Sequence, residues 1–251
     1  MKNIQKVVVG SRVTELEDGL FRGLTGLKDV DFTNCKFGIR IPVSCFSNCE
    51  NLQQFTYPGA NSECDDYVFF KCRSLSSISF LNSVTSIGLS ACYDCNSLES
   101  LTNTGSVTAI ADGAFQNCSK LDNISLASVK TIGNNAFRSC KKLASVDRFN
   151  GRSTATAFET VGEYAFADTN LKTAKLTLRS SADRTWWGEY CFASCDNLET
   201  VEFLSSCYLG SHMFDHCTKL KNIKFDIGAI SYVGKYVFKD CTSLQSVTFP
   251  K

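Results

Sequence analysis

Gly113-Ala114-Phe115-Gln116-Asn117-Cys118-Ser119-Lys120-Leu121-Asp122-Asn123-Ile124-Ser125-Leu126 decides the fold, because the chain keeps repeating it. It returns as Asn135-Ala136-Phe137-Arg138-Ser139-Cys140-Lys141-Lys142-Leu143-Ala144-Ser145-Val146, and again as Tyr236-Val237-Phe238-Lys239-Asp240-Cys241-Thr242-Ser243-Leu244-Gln245-Ser246-Val247-Thr248-Phe249. The common frame is small-Phe-x-x-Cys-x-x-Leu-x-x-Ile-x-Phe. Aligned on the aromatic slot, units fall at Phe21, Phe46, Phe69, Cys92, Phe115, Phe137, Phe166, Phe192, Phe214 and Phe238, at spacings of 25, 23, 23, 23, 22, 29, 26, 22 and 24 residues. The Leu slot is filled every time, from Leu27 and Leu52 to Leu220 and Leu244, and an apolar residue follows three positions on. Upstream of the Phe, a second apolar pattern ends in Gly in six units, as in Val84-Thr85-Ser86-Ile87-Gly88.

A unit of about 23 residues cannot enclose a core of its own, so each unit must stack its apolar edge on its neighbours. The period therefore predicts one solenoid domain over 1–251: a partial strand at 4–9, then about ten coils, with expanded loops in 148–187. The Leu-x-x-Ile-x-Phe run reads as a short strand pairing in parallel with its counterpart in the next coil. The Ala-Phe-x-x-Cys run reads as a short helical turn, and Leu244–Phe249 reads as the closing strand. At roughly 4.8 Å between strands, ten coils span on the order of 50 Å.

These residues resemble the BspA-like leucine-rich repeat family, also called the Treponema pallidum type. Its consensus is close to Cys-x-x-Leu-x-x-Ile-x-Leu-Pro followed by Val-x-x-Ile-Gly-x-x-Ala-Phe-x-x-Cys. The resemblance runs from Ile4 to Phe249 and implies an α/β, right-handed leucine-rich-repeat solenoid. This chain departs from the pattern in its near absence of Pro after the strand, in Cys92 at a Phe slot, in Leu24 and Thr169 at Cys slots, and in one residue deleted before Leu171. Proteins of this type are surface-exposed or secreted, and some bind host or matrix proteins.

Composition narrows the function. The 251 residues are 43% hydrophobic, with 26 basic against 25 acidic side chains, so the basic excess of a nucleic-acid binder is missing. No stretch reaches the roughly 20 apolar residues of a membrane span, and Met1–Lys6 is not followed by the apolar run of a signal peptide. Neither terminal coil reads as a polar cap. The chain is therefore expected to be a segment of something larger, or to have an end covered by a partner, with end-to-end self-association through uncapped terminal coils as one such mode.

The conspicuous residues fall into repeat slots. Eight of the 14 cysteines share one slot (Cys49, Cys72, Cys95, Cys118, Cys140, Cys195, Cys217, Cys241), and Cys45, Cys64, Cys92 and Cys191 occupy other core slots. They read as a ladder of buried free thiols behaving as small hydrophobes. The phenylalanines read as a spine. The only histidines, His212 and His216, have an i, i+4 spacing that, with Asp215 nearby, would suit zinc, but they align with Asn135 and Ser139, outward positions, and Cys217 beside them belongs to the ladder. No metal site, cofactor or catalytic residue is assigned, since no nucleophile elbow, phosphate loop or zinc-protease motif is present.

Function is thus expected on the surface, as a non-catalytic scaffold binding a protein or glycan in a secreted or cell-surface setting. The alternative is a structural spacer or stalk within a larger surface protein. The outward strand columns are small and hydroxyl-rich until Lys175, Glu202 and Lys224 bring charge. Arginine and tryptophan, the side chains favoured at binding hot spots, gather where the period expands: Arg148, Arg152, Arg179, Arg184 and Trp186. Trp187 takes an Ile slot and is expected in the core. The partner-binding candidates are therefore Trp186, Arg184, Arg179, Arg148 and Arg152, with Lys175, Glu202 and Lys224 on the sheet.

Overall fold

The structure is a computed structural model that describes residues 3–35, 39–57, 63–80, 84–102, 104–145, 158–176, 187–204, 207–225 and 230–250. Fifteen strands follow in order: β1 (Lys6–Val8), β2 (Asp29–Asp31), β3 (Gln54–Tyr57), β4 (Glu63–Cys64), β5 (Ser77–Phe80), β6 (Ser86–Ile87), β7 (Ser100–Thr102), β8 (Ala109–Ile110), β9 (Thr131–Ile132), β10 (Thr160–Val161), β11 (Thr173–Leu176), β12 (Thr200–Phe203), β13 (Cys207–Leu209), β14 (Asn222–Phe225) and β15 (Ile230–Val233). Every pairing is parallel and, apart from a register shift at Cys207 in β13–β15, joins equivalent residues of successive coils, as in Ile78↔Leu101 and Val201↔Ile223. One column of strands, β1-β2, β3-β5-β7 and β11-β12-β14, comes from the Leu-x-x-Ile-x-Phe runs. The other, β4-β6-β8-β9-β10 and then β13-β15, comes from the run before the Gly. Alternation sends the apolar slots inward, where Ile78, Ile124 and Val201 are buried.

The first column is less regular than its sequence implies. Among the described residues eight of its coils form strands; Asn123 joins Ser100 through an isolated bridge, and Leu244–Phe249 forms no strand, leaving Phe249 41% exposed.

The expected helical turn is not helical, and there is no helix among the described residues. In each of the ten units the residues two before and two after the Phe slot have positive φ, as at Ser44 and Asn48 (57° and 61°), or at His212 and His216 (57° and 60°). Left-handed residues stop a helix, and for non-glycines each costs roughly 1–2 kcal/mol. They are offset by what they permit. The amides two before, at, and two after the slot point along the solenoid axis to carbonyls of the next coil. Asn135, Phe137 and Ser139, for example, donate to Glu163, Ala165 and Ala167 at 2.8, 2.8 and 2.9 Å. The intervening amides close turns within their own coil, as Arg138 does to Asn135 and Cys140 to Phe137. Most amides of this segment are thereby satisfied, as buried backbone requires.

Side chains complete the stack. Phe115, Phe137, Phe166, Phe192, Phe214 and Phe238 lie nearly parallel, with ring centroids 5.3–5.8 Å apart. The eight cysteines of the common slot each donate their Sγ–H to the Phe-slot carbonyl of the preceding coil, as Cys140 does to Phe115 and Cys217 to Phe192, at 3.0–3.2 Å. Cysteine recurs because the slot asks for a small, mostly apolar side chain with one donor. Of the thirteen cysteines whose side chains are described, twelve are buried and Cys35 is half-buried. Thiol labelling of the native protein should therefore begin at Cys35 and reach the ladder only on unfolding.

Burial makes these thiols reluctant acids, pushing Cys45 and Cys49 up to about 12 and Cys195 and Cys241 up to about 11 from an ordinary 9.0. The folded chain then holds protons that the unfolded chain releases, so stability is fully present below pH 9 and declines as pH rises through roughly 9–12. Urea midpoints measured at pH 7, 9 and 11 should fall over the last interval, and less so in a Cys49→Ala/Cys241→Ala variant.

The recurrent glycines have a different cause from the backbone freedom usually credited to them. A Cβ on Gly162 would stand 2.5 Å from Asn134 N and 2.6 Å from Gly133 C, and its φ is not in the left-handed region. Here glycine serves the close approach of one coil's backbone to the next.

Candidate functional site

On the first strand column, the outward residues form two rows. Gln54, Ser77 and Ser100 stand in register, and so do Thr56, Ser79 and Thr102, with Thr102 Oγ1 donating to Ser79 Oγ at 3.1 Å. Toward the C-terminal half the second row becomes charged: Lys175, Glu202 and Lys224 are register neighbours on β11, β12 and β14. Lys175 Nζ lies 3.4 Å from Glu202 Oε2, with the lysine 42% and the glutamate 18% exposed. An exposed pair of this kind adds at most about 1 kcal/mol to stability. By register Glu202 stands between two lysines, in a positive-negative-positive row. The second column forms a shallow groove over Glu63, Ser86, Ala109, Thr131 and Thr160, with small side chains throughout its centre.

Of the residues singled out from the sequence, the structure brings together Lys175, Glu202 and Lys224. Arg148, Arg152, Arg179, Arg184 and Trp186 lie outside the described residues. Trp187 is buried as expected, bridging Val161 and packing edge-on against Phe158 at 6.1 Å. By chain connectivity, β11 runs directly into the expanded segment 177–186, so the charged row adjoins the segment richest in anchors.

The histidines correct one expectation. His216 is outward, but His212 is only 20% exposed, and its Nδ1 bonds Asp215 Oδ2 at 2.8 Å. Its ring stacks on Tyr190 at 4.4 Å and leans on Tyr236 at 5.1 Å, while Tyr190 stacks on Tyr164 at 4.6 Å and Arg138 covers Tyr164. All four rings occupy the left-handed position two before the Phe slot, which turns them side by side. Burial works against ionised Asp215, but His212, His216 and Lys239 together hold it below the ordinary carboxylate value. Asp215 is a charge in a slot filled by Ala167 and Ala193 in the two preceding coils.

A family model described as the BspA type leucine-rich repeat region matches six copies over residues 1–122, 39–154 and 152–251. A leucine-rich cell surface protein from Faecalibacterium prausnitzii A2-165 superposes with a TM-score of 0.53 at 22% identity, over 96% of this chain and 78% of that one. A Treponema pallidum leucine-rich repeat protein gives a TM-score of 0.46 at 20% identity, over 82% of this chain and 78% of its own. No curated protein sequence matches the chain.

Proposed function

The chain belongs to the BspA-type leucine-rich repeat family, and from that premise we propose that it is a non-catalytic scaffold that binds a protein or glycan at a cell surface or in a secreted setting. The observation that supports this most is the outward row Lys175-Glu202-Lys224, the place where a hydroxyl-rich sheet becomes charged and from which the chain enters the arginine- and tryptophan-bearing segment. A rigid row of alternating charge gives register and orientation, and adjacent aromatic and arginine side chains give affinity. The Faecalibacterium neighbour is described as a cell surface protein, and the proposed location extends that description to this chain.

Screening the protein against an array of extracellular proteins and glycans tests the reading. A partner should emerge, and Arg184→Ala/Trp186→Ala should weaken it by tenfold or more, about 1.4 kcal/mol, without lowering the melting temperature. An array with no specific partner would favour the second reading, an architectural spacer. The axial hydrogen bonds of the turn stack, which join every pair of successive coils, suit that reading as well.

A further inference from the structure

The position after the Phe slot is exposed or half-buried where it holds a large or polar residue, as at Phe70, Gln116, Arg138 and Lys239, but it is under 10% exposed at Ser47, Ala167 and Ala193. In the ninth coil it holds Asp215, 6% exposed. Placing a carboxylate where the two preceding coils place a methyl group is expensive unless a cation or donor answers each oxygen. His212 Nδ1 answers Oδ2 at 2.8 Å. Oδ1 is buried without a hydrogen bond. His216 Nδ1 stands 2.6 Å from it but off the line of a hydrogen bond, and Lys239 Nζ stands 3.8 Å away.

The turn stack supplies a third donor. His216 and Asp240 occupy the same left-handed position in successive coils, with φ of 60° and 57°, so their side chains leave the backbone side by side. His216 Nε2 is 3.3 Å from Asp240 Oδ2. One ligand atom each from Asp215, His216 and Asp240 can be chosen so that all lie within 4.8 Å of one another. Ligands about 2.0–2.2 Å from a single ion sit roughly 3–4 Å apart, so a small closure of the last two coils meets that geometry.

We propose that Asp215, His216 and Asp240 bind a divalent transition-metal cation, of which Zn2+ is the best match. One imidazole and two carboxylates form a borderline donor set suited to zinc and its neighbours, not the all-oxygen shell that calcium or magnesium prefers. Three protein ligands leave a position for water or for an oxygen of a partner. His212 holds the far oxygen of Asp215 and so orients the carboxylate, as outer-shell partners of metal ligands do. Lys239, 3.4 Å from Asp240 Oδ2 as well as near Asp215, occupies the region as a competing cation and must swing away. The ion clamps the ninth coil to the tenth.

Isothermal titration of the whole chain with ZnCl2, beside a CoCl2 absorption spectrum, tests the proposal. It predicts one zinc per chain, a melting temperature that rises with zinc, and cobalt bands free of thiolate charge transfer. His216→Gln and Asp240→Asn, both on exposed side chains, should each weaken zinc at least tenfold, and Lys239→Met should tighten it. Absence of stoichiometric binding, affinity unchanged in both ligand variants, or a thiolate-cobalt band assigning the metal to cysteines would each overturn it.

Discussion

Phe137→Ala is expected to destabilise the protein by about 3–5 kcal/mol, the range for removing a large buried aromatic side chain. Phe137 is fully buried between Phe115 and Phe166, with centroids 5.4 and 5.3 Å away, so its loss leaves a cavity with a ring on either side. Because each coil touches only its neighbours, the damage should spread unevenly. The urea transition should broaden or split as the coils on the two sides of the gap uncouple. A loss under about 1 kcal/mol with a single sharp transition would mean that the aromatic spine is not what couples the coils. Cys92 offers an internal comparison: it interrupts the spine between Phe69 and Phe115 in the native chain, so Cys92→Ala should cost markedly less.

Gly162→Ala is expected to be nearly as damaging for the opposite reason. The added methyl has no room against the backbone of Gly133 and Asn134, and neither partner is a flexible side-chain end. The junction between two coils must open, stretching axial hydrogen bonds such as Phe137 to Ala165. Overpacking of this kind costs about 1–3 kcal/mol. Gly105→Ala, where a Cβ meets nothing within 4 Å, is the control and should change stability by less than about 0.5 kcal/mol. Urea titrations of both variants decide it; equal effects would show that the coils are not held at this spacing by bare backbone.

Strands and core were legible because an inward position in a repeat admits few residues. Leu121, Ile124 and Cys118 recur at fixed offsets since each meets its counterpart one coil away. The turn was misread as helical because Ala-Phe-x-x-Cys has helical spacing. The contrary signal lay at the position two after the Phe, where Gly23, Asn48, Asp94, Asn117, Asp168 and Asp240 are residue types that tolerate positive φ. The thiol-to-carbonyl bonds had no signature of their own, since sequence shows that a slot is small and buried but not where its donor points. At the surface the repeat loses its grip. Lys175, Glu202 and Lys224 were recognisable as one row because they keep register, and Asp215 was legible beside the histidines of its own coil, whereas Asp240 was not connected to them because it lies a full coil further along the chain.

The abundant cysteines and phenylalanines serve the core, and in the function proposed above recognition belongs to the outward row and the segments beside it. The most direct measurement is equilibrium binding of an array-identified partner to two variants: Lys175→Glu/Lys224→Glu, and the conservative core change Cys118→Ala. The account predicts that the charge reversal weakens binding at least tenfold with an unchanged melting temperature, while Cys118→Ala lowers the melting temperature and leaves the affinity of the folded protein intact. Binding that survives the charge reversal but disappears in the folded Cys118→Ala protein would contradict it.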